Sequence, residues 1–225
     1  MAQREAGLFR LLGTSAVYQA FQDALGAEAF RRRLAAWIDA APGQRVLDIG
    51  CGPAAILAHL PEGIEYHGFD DSADYIAAAR ARWGERGHFW QARVEEATLA
   101  DLGAFDRVIA IGVLHHLDDG PAATLVALAA RALAPGGMLL TYDPCWAADQ
   151  GALARALVAR DRGQNVRDAH GYAQLARHSF AEVEPALVRG HLRVPYTACV
   201  LRCRAEASSH REVSPPRVPS STSPR

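Results

Sequence analysis

The chain of 225 residues has no lysine; all 24 of its basic side chains are arginine. We read this as compositional bias of the kind a GC-rich genome produces, not as a phosphate-binding signal. Neither sign of charge is in surplus, since 24 bases meet 25 acids for a net charge of −1, with the two interspersed. Without a basic face, the electrostatics lend nucleic-acid binding no support. Cysteine is sparse, and Cys51, Cys145, Cys199 and Cys203 form no CxxC pair. No zinc site or other metal centre is therefore expected, and the pattern suits a reducing, cytoplasmic compartment. No apolar run approaches the ~20 residues of a membrane-spanning helix, so no membrane partner is expected. Near the N-terminus Arg4 and Arg10 precede or flank Leu11-Leu12, but acids interrupt the segment and no cleavage site follows. No signal peptide is expected there. No internal repeat is visible.

What is present is enough apolar material for a sizeable core: half of the residues are hydrophobic. At this length the chain is one domain, at most with a small cap. Residues 1–22 read as a short amphipathic element. Asp23 to Ala41 predicts a helix, because Phe30, Leu34, Trp37, Ile38 and Ala41 recur at i, i+4, i+7, i+8 and i+11; Arg31, Arg32 and Arg33 fall mostly on its other face. Strands and helices then alternate. Strands are predicted at 45–49, 64–69, 87–91, 105–111 and 137–142, and helices at 54–60, 72–83 and 121–133. Ser72 is a candidate N-cap and Gly84 a candidate C-cap. This alternation argues for an α/β fold with a parallel sheet covered on both faces. Later come helices near 149–160 and 170–178 and strands at about 181–188 and 195–203. From about 205 the chain is rich in Ser, Pro and Arg and too poor in apolar residues to pack, so 205–225 is expected to be disordered.

The most informative stretch is Val46-Leu47-Asp48-Ile49-Gly50-Cys51-Gly52-Pro53-Ala54. Apolar β-formers lead into a Gly-x-Gly turn, and Pro53 is placed to open the helix at 54–60. The expectation is a bare helix N-terminus beside the carboxylate of Asp48. Two nucleotide classes use such a loop. Gly50-Cys51-Gly52-Pro53-Ala54-Ala55 fits the dinucleotide pattern G-x-G-x-x-G/A, with Asp70 about 20 residues further on. Asp48 points to the other class, because an acid there repels a pyrophosphate and suits a ligand carrying an ammonium group.

Val46 to Pro53 resembles motif I of the class I methyltransferases dependent on S-adenosylmethionine (SAM). The resemblance continues in order and spacing through Gly68-Phe69-Asp70-Asp71-Ser72, Phe105-Asp106-Arg107-Val108-Ile109, Val113-Leu114-His115-His116-Leu117 and Leu133-Ala134-Pro135-Gly136-Gly137-Met138, covering residues 44–143. It implies a single doubly wound, mostly parallel seven-stranded sheet, the Rossmann-like methyltransferase fold, closed by an antiparallel last strand. It also implies a helical lid over 1–42, carrying Tyr18 above the cofactor, and a SAM-binding domain over 43–204. Asp48 and the backbone of Gly50, Cys51 and Gly52 would hold the methionine moiety, and Asp70 the two ribose hydroxyls. Asp71 would flank the adenine, beside Arg93, Val94 and Glu95. The chain departs from the pattern at Ala54, where the family has a third glycine, and at Arg93, where it has an acid. Ile111 and Gly112 would end strand 4 near the reacting sulfur.

Methyl transfer needs a nucleophile held ~3 Å from the methyl carbon and shielded from water. A base is needed only where the nucleophile must lose a proton. His115 and His116 close strand 4 and are candidate bases, with a backbone-bonding role as the alternative for either. Asp143, ending strand 5, is a candidate to orient a histidine or a substrate hydroxyl. The polar segment Asp161 to Arg167 reads as a solvated loop where the family builds its substrate wall; Arg162 and Arg167 are candidates to clamp an anion. The expected function is methyl transfer from SAM to a small-molecule acceptor, oxygen ahead of nitrogen or carbon. The alternatives are a SAM-binding protein with other chemistry such as cyclisation, a nicotinamide oxidoreductase, and a non-catalytic partner subunit.

Overall fold

Burial on both faces explains why the apolar stretches of this chain become strands. The computed structural model describes residues 27–161, 163–190, 192 and 194–206. Its strands are β1 (Arg45–Ile49), β2 (Glu65–Asp70), β3 (His88–Gln91), β4 (Phe105–Ile111), β5 (Leu133–Trp146), β6 (Arg167–Asp168), β7 (Glu182–Val188) and β8 (Ala198–Arg204). Its helices are α1 (Ala27–Ile38), α2 (Ala73–Trp83), α3 (Glu96–Leu102), α4 (Asp119–Ala132), α5 (Ala152–Ala159) and α6 (Ala169–Ala176). Seven strands run in the order β3-β2-β1-β4-β5-β8-β7, and the short β6 pairs with the end of β5. All pairings are parallel except those of β8, which lies antiparallel between β5 and β7. This is the doubly wound sheet with an antiparallel last strand that the resemblance implied.

Alternate side chains of each strand feed two cores. Leu47, Ile49, Phe69 and Val108 pack with Val126 and Ala129 of α4 and with Tyr172 and Ala176 of α6. Val46, Tyr66, Ile109 and Leu140 pack with Phe30, Leu34 and Ile38 of α1 and with Ile76 and Ala79 of α2. The predicted α1 stripe is therefore buried as far as Ile38. The helix stops there, short of the expected end at Ala41, because Asp39 takes φ 50°. Arg107 donates from Nε to the Ile38 carbonyl and from Nη2 to that of Asp39, both at 2.8 Å, and so closes the helix end. Ala41 is exposed. The lid expected over 1–42 lies outside the described residues before 27, as do Tyr18 and, beyond 206, the tail.

The helix predicted over 54–60 is not formed. A single 3-10 turn, Ala55–Ala58, stands in its place. The reason is local: Gly50, Gly52 and Ala54 all have positive φ, so the chain is still turning where Pro53 was expected to open a helix. Ala54, at φ 52°, bears a left-handed strain of about 1 kcal/mol, offset by complete burial of its methyl group. There is thus no bare α-helix N-terminus beside Asp48. Two further elements, α3 and β6, were not predicted. β5 also extends past both ends of its predicted span, taking in the Pro135-Gly136-Gly137 turn across a register shift against β4.

At the edge of the sheet Phe69, Trp90 and His67 form a stack, with ring centroids 4.7 Å and 5.2 Å apart, and Phe105 meets His67 edge-on at 5.2 Å. Burial pushes His67 below its ordinary value, although Glu65 Oε1 lies 2.7 Å from its Nε2. Glu65 itself is held at about 2 chiefly by its bonds from Arg45. The neutral ring is therefore the folded form. The sign follows: stability is level above 6.5, declines below it as the unfolded chain takes up a proton that the folded chain resists, and levels off again below the folded value. The difference in urea-unfolding stability between the wild type and His67→Phe should carry this decline between pH 7.5 and 5, because the contributions of the other titrating groups cancel in it.

Candidate active site

The strand order reverses between β1 and β4, so the crevice for a ligand lies beyond their carboxyl ends. The turn after β1 is tied to β2: the N–H groups of Gly50 and Cys51 both donate to the Phe69 carbonyl, at 2.8 Å and 2.9 Å. A Cβ at Gly50 would stand 2.6 Å from Val113 Cγ2, so the glycine is required by close approach as well as by its φ of 74°. Cys51 sits over Gly68, where a Cβ would meet its Sγ at 2.9 Å. Burial and the nearby Asp48 and Asp70 push its thiol far up, so it is a packing group rather than a nucleophile.

Asp48 is 2% exposed. Its Oδ2 accepts a hydrogen bond from the Tyr66 hydroxyl, while its buried Oδ1 has no hydrogen-bond partner. Burial raises its carboxyl to about 7, against the opposing bond from Tyr66 and with a smaller push from Asp70. Asp70 Oδ2 accepts from the Gly52 N–H and Oδ1 from the Ser72 N–H, each at 2.9 Å. It therefore braces the turn, and each oxygen retains acceptor capacity. Asp71 and Arg93 are exposed and form an ion pair at 3.4 Å. Val94 is half-buried against the core and Glu95 is exposed. Thus the position where an acid was expected carries a base that is engaged by the acid of the neighbouring strand.

These groups fit a nucleoside with a cationic end. An orphaned buried carboxylate oxygen calls for a positive or donating partner, and the acceptors on Asp70 suit adjacent hydroxyls. They do not fit a pyrophosphate, which would meet two carboxylates and no α-helix N-terminus.

On the other side of the crevice Ile111 and Gly112 are half-buried, and the Gly112 N–H donates to the Tyr142 carbonyl at 2.6 Å. His115 lies under this turn, 5% exposed, with both ring nitrogens engaged. Nδ1 donates to Asp143 Oδ1 at 2.7 Å, and Nε2 meets Asp161 Oδ1 at 3.0 Å. Burial works to lower His115, but the two carboxylates overcome it and raise the ring to about 9. Asp161 is held at about 2: burial would raise it, and the bonds from His115, Gly163 and Tyr196 prevail. Asp143 is raised by burial in spite of His115, and its Oδ2 has no hydrogen-bond partner. His115 is accordingly an imidazolium at neutral pH and has no site from which to take a proton. His116 is half-buried and its ring lies tilted against that of His115, with centroids 4.1 Å apart and an interplanar angle of 38°.

The segment expected to be a solvated loop is instead docked on His115. The Asn165 N–H donates to the His115 carbonyl at 3.0 Å, and a Cβ at Gly163 would come within 1.9 Å of His115 Cδ2. The Tyr196 hydroxyl donates to Asp161 Oδ2 at 2.7 Å. Arg167 donates to the carbonyls of Leu114, Leu117 and Asn165 and pairs with Asp119, so its guanidinium is committed to the turn after β4 rather than to a substrate anion. Arg162 lies outside the described residues. Sequence reasoning missed Tyr66, Asp161, Gly163 and Tyr196 as site residues. For Tyr66 a signal existed: pairing Asp48 with Gly68 in parallel register makes Tyr66 a near neighbour on the same sheet face.

The His115 cluster has a stability signature of sign opposite to that of His67. A histidine raised from 6.5 to about 9 contributes stability fully below 6.5, and this is lost as pH rises through about 9. At about 1.4 kcal/mol per pH unit the loss is up to roughly 3 kcal/mol. Denaturant unfolding between pH 6.5 and 9.5 should show it, and His115→Gln should remove the slope.

A family profile described as a methyltransferase domain matches residues 47–139. Among curated relatives, a ubiquinone biosynthesis O-methyltransferase of Sodalis glossinidius is 36% identical over 99 residues, covering 42% of this chain and 39% of that one. A ribosomal RNA small subunit methyltransferase C of Chromohalobacter salexigens is 35% identical over 106 residues, covering 44% and 31%. The chain thus spans less than half the length of these relatives. Among solved structures, the N-methyltransferase NodS of Bradyrhizobium japonicum, in complex with S-adenosylhomocysteine, has a TM-score of 0.64 at 19% identity, covering 88% of this chain and 96% of that one. Residues 47–139 thus match a methyltransferase domain, and the strand order around them is that of the Rossmann-like methyltransferase fold.

Proposed function

We propose that this chain transfers a methyl group from SAM to a small-molecule acceptor, with oxygen as the receiving atom. The observation that carries this reading is the pairing of an orphaned Asp48 Oδ1 with a spare-handed Asp70 across one glycine turn. When bound, SAM supplies an electrophilic methyl group on a sulfonium. Asp48 and the Gly50–Gly52 backbone hold its cationic end, and Asp70 its ribose. Asp71, Arg93, Val94 and Glu95 border the base. Ile111 and Gly112 wall the reacting end. His116 is the candidate to take a proton from the acceptor, since His115 is already charged and tied to Asp143. Oxygen is supported by the name of the Sodalis relative. Four free, buried cysteines support a cytoplasmic location, and among the described residues no helix is long and apolar enough to cross a membrane.

An RNA acceptor is the second reading, favoured by the name of the Chromohalobacter relative. The net charge of −1 opposes it. Labelled-methyl transfer assayed against phenols, amines and total RNA separates the two, and retention of label in a product of SAM alone would favour cyclisation. Calorimetry should show micromolar S-adenosylhomocysteine binding and no NADH binding. Asp70→Ala should weaken that binding by roughly 2–3 kcal/mol, the loss of charge-assisted bonds to two hydroxyls; unchanged affinity would remove Asp70 from the site. His116→Ala should slow turnover by about 10²-fold with little change in cofactor affinity; normal turnover would make its role structural.

A further inference from the structure

Asp48 is a buried acid with one oxygen satisfied and one not. Tyr66 donates to Oδ2, and among the described residues nothing donates to Oδ1. The groups that face it are few. β2 contributes Tyr66 and Asp70, and the glycine turn contributes Cys51, whose thiol stays protonated. β4 sets Ile109 beside it in register. α1 and α2 bring Phe30, Leu34 and Ile76 to this core. Among the described residues no arginine or histidine pairs with it. A carboxylate in these surroundings lacks the cation that would justify its charge, so the protonated form is favoured until a cation arrives.

We propose that capture of the ligand's cationic end expels the proton of Asp48, and that Tyr66 is the positioning residue that sets the pH at which this happens. The coupling presupposes the SAM reading of the crevice and adds a regulatory consequence to it. The balance is simple: the proton leaves the Asp48 carboxyl for solvent, the ligand's ammonium becomes the counter-charge, and no covalent bond on the ligand changes. The Tyr66 hydroxyl favours the charged carboxylate by donating to Oδ2, and that bond fixes the carboxyl group with Oδ1 left over. Burial keeps the raised carboxyl near neutrality in the free protein, where a modest change in pH alters its charge.

The probe is S-adenosylhomocysteine, whose ammonium stays protonated across the range used. Isothermal calorimetry from pH 5.5 to 7.5, in pairs of buffers differing in ionisation enthalpy, reads affinity and proton release together. With Asp48 at about 7, affinity should weaken about 25-fold from pH 7.5 to 5.5, and about half a proton should be released per ligand at pH 7. Asp48→Asn should bind more weakly, independently of pH and without proton release. Tyr66→Phe removes a donor to the charged form, so its inflection should move to higher pH; thermal melting checks that the variant is folded. Wild-type affinity that is flat with pH would overturn the coupling and leave the SAM reading intact. PH dependence persisting in Asp48→Asn would assign the proton to Asp70 and overturn it equally. Should Asp48→Asn fail to fold, an unmoved inflection in Tyr66→Phe would refute the role of Tyr66. Absence of binding at every pH would sink both the coupling and the SAM reading.

Discussion

The missing side chain of Gly50 is the constraint on which the crevice depends. β1 and β4 are sheet neighbours, yet the turns that follow them must part to admit a ligand. They touch where Val113 Cγ2 fills the space of a Cβ at Gly50. Each turn is then anchored away from the other. The β1 turn hangs from the Phe69 carbonyl of β2, and the β4 turn from the Tyr142 carbonyl and the Asp143 carboxylate of β5. The opening between them follows from strand order, and the glycine sets how closely its two lips approach.

The two lips differ in how their charge is balanced. Asp48 and Asp70 stand on the β1 side with no cation facing them among the described residues, so the charge of Asp48 develops only as a ligand brings a positive group to it. On the β4 side, Asp143 and Asp161 enclose His115, whose imidazolium already compensates one of the two carboxylates. The compensation also has a mechanical effect. Asp161 belongs to the segment after α5, and its bond to His115, with Gly163 pressed on the ring and Arg167 gripping the carbonyls below, fastens that segment to the turn after β4. The segment after α5 is therefore held by buried charge-assisted bonds, which are stronger than neutral ones and carry direction as well as energy.

The sheet was legible in the sequence because alternation and turn residues are local signals. β1 and β4 begin and end where the apolar pattern placed them, and Ser72 caps α2 as read. The helix after the glycine turn misled because Ala54 has the composition of a helix former and the backbone of a glycine. The polar segment at 161–167 misled for a different reason. Asp, Gly, Asn and Arg in sequence describe a solvated loop equally well when their partners are adjacent residues or a distant histidine, and composition carries no information about which. Tyr66 lies between these cases. Its pairing with Asp48 is long-range but follows from parallel register once β1 and β2 are set side by side.

At the turn after β4 one histidine serves as an anchor, and that service excludes it from base chemistry. A ring held between two carboxylates is a stable cation, and a cation cannot act as a base. The bonds that fasten the segment after α5 are therefore the same bonds that fix the proton on His115, which is buried among Asp143, Asp161 and Gly163. His116 follows on the same short 3-10 turn, half-buried, with its ring tilted against that of His115. Whatever group accepts a proton in this crevice, the geometry of the first histidine assigns that histidine to holding the segment in place.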